Sequence, residues 1–575
     1  MLYDMIRAAR EEIKPTLVLK NAKLINVFSG EIYSTDIAVD RGRIVGIGSY
    51  SGVEEKDLSG FYVCPGLIDG HIHLESTMVT PGEFAKAVLP RGTTTVVTDP
   101  HEIANVCGLE GLDYMLASTE NLPLNVFFMA PSSVPATSFE DNGAEITADT
   151  IGELLERKRF LGLAEMMNYP GVLCGSSEVL AKLDTARKNK RIIDGHAPGL
   201  SGKDLCAYVA AGITSDHECT TYQEALEKIR LGQWVMVREG TVSKNMIDLL
   251  PLLLSEKSRR CMLVTDDKHP GDLLREGHLD NMIRVLIAQG VCPMVAIRMA
   301  TLNPAQYFGF KDLGALAPGY RADILVLSDL ESFTITEVYK DGRLVAERGT
   351  ALPFEVPAVS APKVMDSFYM AELRPEQLIL TASGTKMRVI GLVPGQLLTR
   401  EIIFDQCNQS GEIIATDLEQ DLLKLVVDER HKYTGKIASA FVHGFGLKRG
   451  AIASSVSHDS HNLVVVGVDD QAICLAANAV AAHQGGLAIA DEDQVLAILP
   501  LPIAGLISNE RIEEVDRRFQ EMKELAWIMG VPRNLDPFMM LSFLALPVIP
   551  ELKLTPRGLI KVSEQKFVPV VFSSE

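Results

Sequence analysis

Between about residues 64 and 310 one pattern repeats eight times: a short apolar segment, a polar or ionisable residue, then a helical stretch. The segments are 66–70, 93–98, 125–129, 160–164, 191–195, 212–216, 234–237 and 261–265, each of strand length and set off by turn residues. Eight such units in roughly 250 residues is the usual length of a (β/α)₈ barrel. The residues that follow the segments are His71, Asp99 with His101, Pro131 with Ser132, Glu165, His196, His217, Arg238 with Glu239, and Asp266 with Asp267. Barrel active sites sit at the C-terminal ends of the strands, so this pattern gathers ionisable groups at one mouth. A doubly wound open sheet shares the β/α alternation but would not ordinarily place such groups after nearly every strand.

Strand-rich stretches flank this core. Residues 16–50 read as short β-branched strands, and the same texture returns at 322–327 and 334–345, where Asp341-Gly342 marks a hairpin turn. The expectation is an α/β chain: a TIM-like (β/α)₈ barrel over 65–312, with a small β-sandwich domain split around it. Residues 1–64, including a charged N-terminal helix, supply the first part of that domain, and 313–364 the second part and a Pro-rich linker. An additional C-terminal α+β domain is expected over 365–575, with helices at 418–429, 471–483 and 509–529 and strands at 437–442, 451–456 and 463–468.

Composition excludes some partners. The 575 residues carry 55 basic and 75 acidic side chains, a net charge of −20. A nucleic-acid polymer needs clustered Lys and Arg, so it is a poor partner here. Nine scattered cysteines without C-x-x-C spacing indicate neither a zinc ribbon nor a disulfide framework, and point to the cytoplasm. The first twenty residues are charged throughout, and the longest apolar run, 495–507, is 13 residues broken by Pro500 and Pro502. That is too short to span a bilayer, so no membrane association is expected.

His71-Ile72-His73 carries the chemistry. Alternate side chains of a strand share a face, so both imidazoles can converge on one metal. His196, His217, Glu165 and Asp266 end other strands at the same mouth. Four imidazoles and two carboxylates gathered there are costly to bury without a cation.

The run PGLIDGHIH (65–73) resembles the signature of the amidohydrolase superfamily. HIHLEST (71–77), DPHEIANVCG (99–108), LAEMMNYPGV (163–172) and VTDDKHP (264–270) resemble the bacterial-type adenine deaminases within it, and GFGLKRGAIASSVSHDSHN (444–462) is similar to their additional domain. The resemblance implies hydrolysis of adenine to hypoxanthine and ammonia in purine salvage. It implies two divalent metal ions, Mn or Fe first and Zn as a further candidate, and a homo-oligomer, a dimer being favoured. On it, His71 and His73 bind the first metal, Glu165 bridges, His196 and His217 hold the second, and Asp266 closes the site and shuttles a proton. A one-residue register shift to Asp267 stays open.

Other residues keep two readings each. Glu102 is a candidate for protonating or hydrogen-bonding a ring nitrogen, or else a carboxylate favouring its helix N-terminus. Asp99 and His101 orient the ligand, or Asp99 serves a turn before Pro100. Arg238 contacts substrate or pairs on the barrel rim. His458, Asp459 and His461, within 457–462, form a hydrogen-bonded hairpin loop or a cap that closes the mouth and reads purine edges. Two broader alternatives are an amidohydrolase for another purine or cyclic amide, and a silent barrel acting as scaffold or sensor. The H-x-E…P-C-x-x-C signature of zinc cytidine deaminases is missing, so base deamination here needs other machinery.

Overall fold

The computed structural model describes residues 2–241, 243–393, 396–405 and 411–573, so Cys407 lies outside the described residues. Eight parallel strands form the barrel. Leu67–Ile72, Thr93–Thr98, Asn125–Ala130, Phe160–Met166 and Ile192–Gly195 make one parallel run, and Ser215–Asp216, Trp234–Arg238 and Cys261–Val264 another. The runs join on both sides: Thr214 N–H donates to Ile193 O at 2.9 Å, and Asp266 N–H to His71 O at 2.9 Å. Neighbouring residues of a strand face opposite ways, which is why this sequence closes. Val96 packs outward under the helices, while Val97 packs inward with Met129, Ala164, Met236, Met262 and Val264. Gly70 is required by the same crowding, since a Cβ there would lie 2.9 Å from Met262 Sδ.

The two flanking strand blocks join a single nine-stranded sheet. Tyr62–Pro65 runs antiparallel to Ile324–Asp329, with Pro65 opposite Ile324, and so stitches the N-terminal strands to those that follow the barrel. Asp341 and Gly342 turn the hairpin between Thr334–Lys340 and Arg343–Glu347, both with positive φ (48° and 73°) as a type I′ turn requires.

A second nine-stranded sheet forms the C-terminal unit. The segment expected as a helix over 418–429 is instead strand Leu422–Asp428, paired with Ile437–His443 and Leu463–Gly467. All seven of its residues are buried. A strand covered on both faces has no polar alternation, so an apolar run of this length reads equally well as helix. Helix Asp470–Ala482 covers one face of the sheet. Helix Ile512–Ile528 packs on barrel helices Pro270–Arg275 and Pro81–Val88, and Arg275 Nη1 lies 2.6 Å from Asp516 Oδ2. No helix among the described residues is long and apolar enough to cross a membrane.

Candidate active site

The strand ends deliver their side chains to one buried cluster. His71 and His73, flanking the last residue of the first barrel strand, both face the eighth: His73 Nε2 lies 3.1 Å from Asp266 Oδ1, and His71 Nε2 3.6 Å from it. Glu165, in the fourth strand, sits between two pairs of histidines. Its Oε1 is 3.3 Å from His73 Nε2 and 3.8 Å from His71 Nε2, and its Oε2 is 2.6 Å from His196 Nδ1 and 3.2 Å from His217 Nε2. Asp266 and not Asp267 faces the histidines, because Asp267 Oδ1 accepts instead from Ser76 Oγ at 2.5 Å. His73 Nδ1–H donates to Asp99 O at 2.9 Å, which leaves its Nε2 lone pair for the cluster.

Metal ligation fits these residues. The ligand atoms of His71, His73 and Asp266 lie within 4.8 Å of one another, and so do those of His71, Glu165 and His217. His71 Nε2 is buried without a hydrogen-bond partner. An unpaired buried imidazole nitrogen beside two carboxylates is what a cation would satisfy. Burial works against charge throughout the cluster, yet the opposite partners prevail. Glu165 is held well below the usual carboxylate range by His217, His196 and His73, and His73 well above the usual histidine range by Asp266 and Glu165.

Arg238, from the end of the seventh strand, donates through Nη1 to Asp266 Oδ2 at 2.7 Å and through both terminal nitrogens to Glu218. Three of its five N–H donors are thus committed, and Nε is buried without a partner. Glu218 was not singled out in the sequence, although it directly follows His217. Its Oε1 lies 3.2 Å from His217 Nε2 and 3.6 Å from His196 Nδ1, a further carboxylate at the second pair of histidines. Glu75 was missed too. It is buried, accepts from Ile103 N–H at 3.1 Å, and is pushed up to about 7, first by burial.

Glu102 stands in the first turn of helix His101–Ser118, and its carboxylate is gripped from the C-terminal unit. His458 Nδ1–H donates to Oε1 at 2.7 Å, and His461 Nε2–H donates to Oε2. His461 Nδ1 in turn accepts from Ser457 N–H at 3.1 Å, which fixes that tautomer. The whole polar stretch from Ser457 to Asn462 is buried, unlike a solvated hairpin loop. Arg430, fully buried, pins it by donating to His461 O at 2.6 Å and Ala504 O at 2.9 Å. His458 is raised to about 9 by Glu102 against the burial penalty, whereas burial takes His461 down to about 4. Asp459 Oδ1 is 4.0 Å from His101 Nε2, Oδ2 has no partner, and burial pushes this carboxyl up to about 6. Asp99 acts through its neighbours: its Oδ2 is 2.9 Å from His101 Nδ1. His443 stays outside the cluster, against Phe404.

The chain matches known proteins along nearly its whole length. Residues 62–345 match the amidohydrolase family, and residues 396–566 match the adenine deaminase C-terminal domain. The chain is 48% identical over 569 residues to adenine deaminase 2 of Carboxydothermus hydrogenoformans, covering 99% of both chains. It is 48% identical over 565 residues to the adenine deaminase of Desulfatibacillum aliphaticivorans (98% and 99% covered), and 46% over 579 residues to that of Kosmotoga olearia, covering all of both. Identity of this extent, running through the barrel, both strand blocks and the C-terminal unit, makes the chain a member of the adenine deaminase family of amidohydrolases.

Proposed function

We propose that this chain hydrolyses adenine to hypoxanthine and ammonia, using two divalent metal ions held by the strand-end cluster. His71, His73 and Asp266 would hold one ion, His196 and His217 the other, and Glu165 both. Imidazole with carboxylate suits Mn, Fe or Zn, and kinship with the family favours Mn or Fe. When bound, such ions lower the pKa of water and offset the negative charge of the carboxylates.

The protein's own groups handle the protons. Asp266, held by Arg238 and facing His71 and His73, takes the proton of the attacking water and returns it to the departing amine. Attack at C6 pushes charge onto N1, where Glu102 delivers or holds a proton. His458, raised to about 9, keeps that proton in reserve at 2.7 Å from Glu102. The buried loop of His458, Asp459 and His461 excludes water from the mouth.

The observation that carries this reading is the shared Glu165 carboxylate, with a pair of histidines on each oxygen. The chain is proposed to work in the cytoplasm as a homo-oligomer. All eight described cysteines are unpaired, which suits a reducing compartment, and light scattering reads the assembly. The test of the reaction is ammonia release from adenine, adenosine, guanine and cytosine by the Mn²⁺-loaded protein. Release from adenine above the others is expected. None from adenine with metal bound would overturn the substrate.

A further inference from the structure

A cavity of about 180 Å³ lies between the Pro-rich linker and two barrel helices, and it shares no residue with the strand-end cluster. Val356 and Pro357 of the linker form one wall, and Pro81 with Gly82, opening helix Pro81–Val88, another. The linker lies hard on that helix, since a Cβ on Gly82 would come within 2.4 Å of Val356 Cγ1. Tyr114 and Ser118, from the last turns of helix His101–Ser118, close a third side.

The polar groups of the cavity are hydroxyls, and no charged side chain lines it. Tyr114 is only 7% exposed, and its hydroxyl has no hydrogen-bond partner among the described residues. Burial alone pushes it up to about 12, so it stays a neutral donor. A Tyr hydroxyl buried this far normally finds a partner. Ser118 Oγ–H donates to Met115 O at 3.2 Å, which leaves its lone pairs to accept. Thr80 precedes helix Pro81–Val88 without capping it through its side chain. A cavity of about 150 Å³ is enough to take up benzene, so this one has room for a single ring with a polar substituent. A charged ligand would be desolvated there with no opposite charge to meet it.

The same stretch of chain reaches the catalytic mouth. Ser76 and Met78 line a cleft of about 30 Å³ beside Asp267 and His458, and Thr80 to Gly82 line the cavity. Met78 O also accepts from Ser508 N–H of the C-terminal unit at 2.8 Å. The cleft has room for about one water, so on the deaminase reading above a purine needs it wider. A ligand wedged between the linker and Thr80–Gly82 would hold this stretch and oppose that widening.

We propose that the cavity is a regulatory site for a neutral single-ring molecule carrying a hydroxyl, and that its occupation slows turnover at the mouth by holding residues 76–82. The regulation rests on the deaminase reading; the binding does not. The probe is phenol, with benzene and benzoate as controls, followed by calorimetry on the metal-loaded protein. The parent should bind phenol and benzene but not benzoate. Tyr114→Phe should weaken phenol about two- to tenfold, the worth of one neutral hydrogen bond, and leave benzene unchanged. Val356 is 42% exposed, so Val356→Trp is tolerated by the fold; it should fill the cavity and abolish binding of both, and it serves if Tyr114→Phe does not fold.

Saturating phenol should lower kcat on adenine at least about fivefold in the parent, the lower end of ordinary coupling between sites, and have no effect on Val356→Trp. No phenol bound by the parent, benzoate bound as well as phenol, or equal phenol binding by all three proteins overturns the site. Binding with an unchanged kcat overturns the regulation and leaves the site standing. No turnover of adenine by the parent without phenol removes the deaminase reading and the regulation with it, while the binding measurement still decides the site.

Discussion

The strand-end cluster and the Glu102 cluster lie at the same barrel mouth but are assembled by opposite routes. His71, His73, Glu165, His196, His217 and Asp266 all come from one barrel, and hydrogen bonding between neighbouring strands fixes where each arrives. Glu102 is paired with residues 356 and 359 positions further along the chain, on a loop of a different sheet. The first cluster needs only the barrel to close. The second exists only while the C-terminal unit is docked, as through Arg275–Asp516, with its loop held in place by the buried Arg430. Metal retention and turnover should therefore be separable by mutation.

The sharpest break is Glu165→Gln. Losing the carboxylate shared by both histidine pairs should strip metal and abolish ammonia release together, read by elemental analysis and assay. Two metals with full turnover in that variant would remove the bridge assignment. Glu102→Gln should do the reverse, leaving metal content intact while kcat falls by about 10²–10⁴-fold, the range of one general acid–base group. His458→Ala should follow it with a smaller loss, and an unchanged rate there would make the loop merely structural.

Glu218→Gln probes the edge of the first cluster. Glu218 ties Arg238 to His196 and His217, and Arg238 holds Asp266. Metal affinity should drop about 10- to 100-fold, as for other groups that orient ligands. Excess metal should restore most of the rate, and a loss that metal cannot restore would instead make Glu218 part of the reaction.

The smallest effect is on stability. Glu140, buried near Asp459, is pushed up to about 8, first by burial. The folded protein keeps a proton that the unfolded chain gives up above about 4.3. Its contribution is thus complete below that pH and lost as pH rises toward 8. Glu140→Gln should raise Tm relative to the parent at pH 8, with the gap closing by pH 5. A constant gap across that range would mean Glu140 is ionised in the fold.

Much of the first cluster was legible because a barrel converts sequence position into spatial position. A residue one step past an apolar strand must lie at the mouth, so His71, Glu165, His196, His217 and Asp266 could be placed together from their spacing alone. The choice between Asp266 and Asp267 could not, since both follow the same strand. It was decided by Ser76, which holds Asp267 aside. Leu422–Asp428 failed for a different reason: burial on both faces erased the alternation that marks a strand.

By itself, then, the sequence determined the barrel, the split of the strand blocks around it and the residues at its mouth, all of which rest on local periodicity and strand-end position. Only the tertiary structure decided that Glu102 is gripped by His458 and His461, that Arg238 is committed to Glu218 and Asp266, and that Asp267 faces a cleft. Those contacts join segments with no periodic relation to one another. They arise from how two sheets dock, and no local pattern records that.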